Sequence, residues 1–134
     1  MSQVSKIKLD KKIEQDLVKT MELILVKIRT NDQMDAFLLS FLTPTEKIML
    51  AKRLAAIILI KEGLPHSHIS SSLHLTRATI SKLELFLEAR GEGYNVALQI
   101  LKNEKLFEEV KKSLLKLAGY SIRAAGGYVK PGIV

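Results

Sequence analysis

Residues 66–85 read HSHISSSLHLTRATISKLEL, and this stretch decides the fold. Counted from His66 as the first position, Ile69, Leu73, Leu75, Ile80 and Leu83 occupy the fourth, eighth, tenth, fifteenth and eighteenth places. Two short helices packed near a right angle need buried residues on each inner face and one apolar plug in the turn, which is the skeleton of a helix-turn-helix. Ser70 puts a small side chain at the fifth place, where the helices approach most closely. The first turn residue is commonly Gly, because the backbone there is left-handed. Here it is His74, which tolerates that conformation better than β-branched or bulky residues do. Thr76 can cap the second helix, leaving Arg77, Ala78, Ser81 and Lys82 on the side opposite Ile80 and Leu83, with Thr79 at its margin. Such compact or cationic groups fit a DNA major groove.

Charge agrees with this pattern. From Gly63 to Leu83 there is no Asp or Glu in 21 residues, so the helix pair offers donors without carboxylates to repel phosphates. All three histidines, His66, His68 and His74, lie here, but their spacing argues against a metal site. His66 and His68 point to different sides of a helix, His74 sits in the turn, and no Asp, Glu or Cys stands nearby in the sequence to complete a shell.

Outward from this stretch the apolar periodicity is helical throughout, and the sequence predicts an all-α helical bundle with no strand. Ile13, Leu17, Met21, Ile24 and Ile28 form one stripe on a helix from about residue 7 to residue 29. Thr30, Asn31 and Asp32 break it, and a short helix follows through Met34, Phe37, Leu38 and Phe41. Thr43, Pro44 and Glu46 form a start signal with N-cap, first-position proline and capping-box acid. The helix they open is apolar on nearly every side around Leu54 to Ile60, which makes it the central one, and Gly63 ends it. After a break at Gly91 and Gly93, one last amphipathic helix is expected over 95–118. The expected organisation is therefore a single helical domain over 1–118, with the helix-turn-helix at 65–90. The helices of 7–42 and 95–118 serve dimerisation and packing, and a flexible tail covers 119–134.

The chain of 134 residues carries 21 Lys and Arg against 14 Asp and Glu, a net charge of +7, with 47% hydrophobic residues. This is the balance of one globular domain. The absence of cysteine excludes disulfides, thiolate metal sites and a cysteine nucleophile, and fits a reducing compartment. Charged residues bracket the greasiest run, no leader pattern is legible, and a soluble, cytoplasmic protein is expected. Residues 1–42 hold 7 basic against 6 acidic groups, while 43–91 and 92–134 each hold 7 against 4. The C-terminal third thus supplies as much positive charge as the helix-turn-helix third.

LTPTEKIMLAKRLAAIILIKEGL (42–64) followed by HISSSLHLTRATISK (68–82) resembles the Trp repressor-like superfamily of bacterial helix-turn-helix proteins, over Leu42 to about Tyr94. The resemblance implies an all-helical, intertwined dimer that presents two recognition helices to a palindromic operator. It puts Arg77, Ala78, Thr79, Ser81 and Lys82 on the recognition helix, with His66 and Ser67 at the start of the preceding one. In tryptophan-responsive members the corepressor lies between the central and recognition helices, and there Thr43 and Arg53 match as ligand- or phosphate-binding residues. Lys82, however, stands where a second arginine would be, Leu83 occupies a small-residue place, and Phe86 replaces a hydroxyl. Lys cannot reproduce a planar bidentate grip on a carboxylate, and the larger side chains fill volume an indole needs. No cofactor is expected, tryptophan included, and a different small-molecule effector stays open.

The functional expectation is sequence-specific binding of double-stranded DNA by a homodimeric transcriptional regulator, a repressor. The DNA-binding residues would be His66, Ser67, Ser70, Thr76, Arg77, Ala78, Thr79, Ser81 and Lys82. Two alternatives stay open, a protein–protein docking module and an RNA-binding helical protein. No paired-carboxylate or nucleophile constellation marks an enzyme.

Overall fold

Thr30, Thr43, Gly63, His74 and Thr76 divide the chain into its first five helices, each by a local device. The computed structural model describes residues 8–119 and the backbone of 121–122 and 128–129. Its helices are α1 (Lys11–Lys27), α2 (Asn31–Phe41), α3 (Pro44–Lys61), α4 (His66–Leu73), α5 (Arg77–Arg90), α6 (Glu92–Leu101) and α7 (Lys105–Leu117). Thr30 caps α2 by accepting from Gln33 N at 3.1 Å. At the start of α3 the capping box is reciprocal: Thr43 Oγ1 accepts from Glu46 N at 3.1 Å, and Glu46 Oε1 accepts from Thr43 N at 2.9 Å. Gly63, with φ +82°, ends α3 in a Schellman motif in which Gly63 N donates to Ile60 O and Leu64 N to Leu59 O. Leu64 and Leu59 are both buried there, so the closure also joins two apolar side chains.

Two compact units can be distinguished, 1–50 and 51–134, with the division inside α3. In the first, no described residue is buried. Phe37 and Phe41 stack with ring centroids 4.9 Å apart, and with Leu17, Met21 and Ile24 they line an open apolar groove of ≈ 510 Å³. In the second, Ala56, Ile57 and Leu59 of α3 join Leu64, Ile69, Leu73, Ile80 and Leu83 in one core. Fully burying a large aliphatic side chain is worth about 1.5–3 kcal/mol, so this cluster is what holds α4 and α5 against the end of α3.

The C-terminal region corrects the sequence reading. One helix was expected over 95–118; there are two, separated at Lys102–Glu104 by i→i+3 bonds from Lys102 N to Gln99 O and from Glu104 N to Leu101 O. The apolar spacing runs on through this turn and does not register it. The turn lets α7 aim Leu115 and Ala118 into the core. Gly93, expected in the break, lies inside α6, and Gly91 alone marks it. A Cβ on Gly91 would collide with the Leu87 carbonyl, so the close passage from α5 to α6 needs glycine. Strands were not expected, yet β1 (Ser121–Ile122) pairs antiparallel with β2 (Tyr128–Val129). The rest of the 119–134 tail, expected to be flexible, lies outside the described residues apart from Gly119.

Candidate nucleic-acid interface

The α4–turn–α5 segment has the expected build. Ile69 and Ile80 are fully buried, Leu73 and Leu83 nearly so, and Leu75 is half-buried against the same core. His74 adopts φ +54°, ψ +46°, the left-handed conformation the turn requires. Its N–H and that of Leu75 both donate to Ser70 O, while Ser70 Oγ donates to Leu75 O at 2.5 Å. Ser70 therefore belongs to the turn: its hydroxyl closes the corner and is not presented outward. Thr76 caps α5, its Oγ1 accepting from Thr79 N at 3.1 Å and lying 2.9 Å from Thr79 Oγ1.

Ile80, Leu83 and the half-buried Leu87 define the inner face of α5. Arg77, Ala78, Thr79, Ser81 and Lys82 are all exposed, and within the first two turns of α5 every residue outside the core is one of these five. On α4, Ser67 is half-buried, and Ser71 and Ser72 bond back to Ser67 O and His68 O of their own helix. Serines that satisfy the preceding turn in this way are less available to a ligand.

Glu84, which the sequence reading did not single out, contacts His66: Nε2 of the imidazole meets Oε2 of the carboxylate, each side chain being 37% exposed. The expectation that no carboxylate stands near His66 is thereby corrected. The pair ties the first turn of α4 to the start of the third turn of α5, and a part-exposed pair of this kind contributes about 0–1 kcal/mol. It also turns the first acid after the acid-free stretch toward α4. Nothing in local spacing encodes a partner 18 residues away. Among the described residues there is no group of three or more side chains that could hold a metal ion.

The two remaining candidates are differently placed. Thr43 spends its hydroxyl on the α3 cap, and Arg53 is exposed on α3. Leu83, at the place where the resemblance calls for a small residue, is 4% exposed and part of the core. Phe86 is 41% exposed, with the Arg90 guanidinium 5.7 Å from its ring centroid.

A helix pair with packed inner faces, a left-handed corner and a second helix whose residues 77–82 show only compact and cationic groups outward defines a helix-turn-helix protein of the all-α class. The family model of the Trp repressor protein matches residues 15–102, more than half of the chain, and the chain belongs to that family. No curated protein and no solved structure matches it. The family is one of DNA-binding transcriptional regulators and not of enzymes. No helix among the described residues is long and apolar enough to cross a membrane.

Proposed function

We propose that this protein is a homodimeric, cytoplasmic transcriptional repressor that binds palindromic operators in double-stranded DNA through α5. The observation that carries the reading is the outward face of α5 over residues 77–82, where five exposed polar, cationic or small side chains sit on a helix pair whose inner faces are packed into one core. Lys and Arg contacts to phosphates supply affinity, and base-edge contacts supply discrimination. Arg77 is the base-reading residue, since a guanidinium pairs with guanine through two hydrogen bonds, and Ala78 and Thr79 lie against thymine methyls. Thr76, Ser81 and Lys82 flank them, with His66 and Ser67 near the backbone at the start of α4.

Binding needs no corepressor in this reading. Leu83 is part of the core and Lys82 replaces a planar guanidinium, which argues against tryptophan. The second copy would cover the exposed apolar side chains of α1 and α2.

Selection from random duplexes tests the reading directly. It should recover a palindrome with half-sites about 10 bp apart, one helical turn. Arg77→Ala should then weaken binding to that operator by about 1–3 kcal/mol at matched salt. Equal affinity of variant and parent, or no duplex binding at low salt, would overturn it in favour of a protein-docking role.

A further inference from the structure

The family match ends at residue 102, so α7 lies wholly beyond it. The helix is nonetheless part of the DNA-binding unit. Leu115 and Ala118 are buried with Ile69, Leu73, Ile80 and Leu83, and Lys111 Nζ lies 3.3 Å from Glu62 Oε1. Glu62 precedes His66, the first residue of α4, by only four positions, a reach of about 14 Å at most. The middle of α7 is thus pinned close to the start of the helix-turn-helix.

Opposite Phe107 and Leu114, α7 carries Lys105, Lys112 and Lys116, all exposed. At 100° per residue the three fall within about 40° of one another and span about 16 Å along the axis. That length matches about five base-pair steps of 3.4 Å. The surrounding sequence has the same mark as the helix-turn-helix itself: after Glu109 there is no Asp or Glu to the end of the chain, while Lys111, Lys112, Lys116, Arg123 and Lys130 follow. Glu108 and Glu109, both exposed, border the row on either side.

We propose that α7 carries a second DNA-backbone contact, in which Lys105, Lys112 and Lys116 meet phosphates flanking the base pairs read by α5. The proposal rests on the DNA-binding reading above and widens its footprint beyond the part of the chain that the family shares. The row neutralises phosphates without reading sequence, so it adds affinity equally at operator and non-operator DNA.

The test compares the full chain with Lys105→Gln/Lys112→Gln/Lys116→Gln, by fluorescence anisotropy on a 30-bp duplex of random sequence across a salt series. Lys11→Gln/Lys19→Gln/Lys27→Gln removes the same charge from α1 and serves as the control. All six lysines are exposed, so both variants keep the fold, which circular dichroism checks. The slope of log affinity against log salt should shrink by about 0.9 for each lysine that meets a phosphate, and the control should keep the parent's slope. Glu109→Gln should tighten binding. An α7 variant with the parent's slope, or a control that loses as much, overturns the proposal while leaving the α5 reading intact. A parent that binds no duplex at low salt removes both.

Discussion

The two units of this chain are comparably apolar and very differently buried. In residues 51–119 a core forms from Ala56, Ile57 and Leu59 through Ile80, Leu83 and Leu115. In residues 8–50 not one side chain is buried, and Val26 and Leu39 stand 77% and 78% exposed. The difference lies in how many elements surround each apolar face. α3, α4, α5 and α7 enclose a common volume, whereas two helices such as α1 and α2 are by themselves too few to enclose one. An apolar stripe states which face must be covered, and the rest of the chain decides whether it is. In the proposed dimer the cover for α1 and α2 comes from the second copy.

The sharpest way to break this contrast is to cut into the core. Ile57→Ala removes a fully buried side chain and should lower the unfolding free energy by about 2–5 kcal/mol in urea titration. A loss no larger than that of an exposed site would mean that the second unit is not held by this cluster. The complementary change is Leu17→Glu, at a position 55% exposed in α1. It should weaken self-association at least about tenfold, or about 1.4 kcal/mol, by light scattering over a concentration series. Amide exchange at Ile69 and Ile80 should remain protected. A particle of unchanged mass would show that the α1 face is not where copies meet.

Much of this architecture was legible because the devices that make it are local. Thr43 with Glu46, Thr76 with Thr79, and Gly63 with Ile60 act across three residues, so spacing and residue type reveal them. Ile69, Leu73, Ile80 and Leu83 were legible as well, because two helices of fixed period leave few positions facing inward. What stayed hidden depends on tertiary placement. Lys61 Nζ reaches Asn95 Oδ1 at 2.8 Å across 34 residues, and His66 reaches Glu84 across 18. The turn between α6 and α7 was hidden for the opposite reason: apolar residues on either side keep a single helical phase, so periodicity reads through it. Family membership and the all-α fold were expected from the Leu42 to Tyr94 resemblance and are borne out.

The smallest effect separates the two corners that flank α4. At the first, a glycine already occupies the left-handed position, Gly63 at φ +82°; at the second, His74 sits at φ +54°. A non-glycine residue in that conformation costs about 1–2 kcal/mol, and glycine returns part of the gain through its greater freedom in the unfolded chain, about 0.5–1 kcal/mol. His74→Gly should therefore raise unfolding stability by up to about 1 kcal/mol. The bonds that set the corner are unaffected, because Ser70 O receives backbone N–H groups and Ser70 Oγ bonds a backbone carbonyl. Operator affinity should stay at the parent's level, since Arg77 to Lys82 keep their frame. A variant more stable yet weaker on DNA would give the exposed His74 ring a place in the interface. One less stable would mean that the imidazole itself supports the turn.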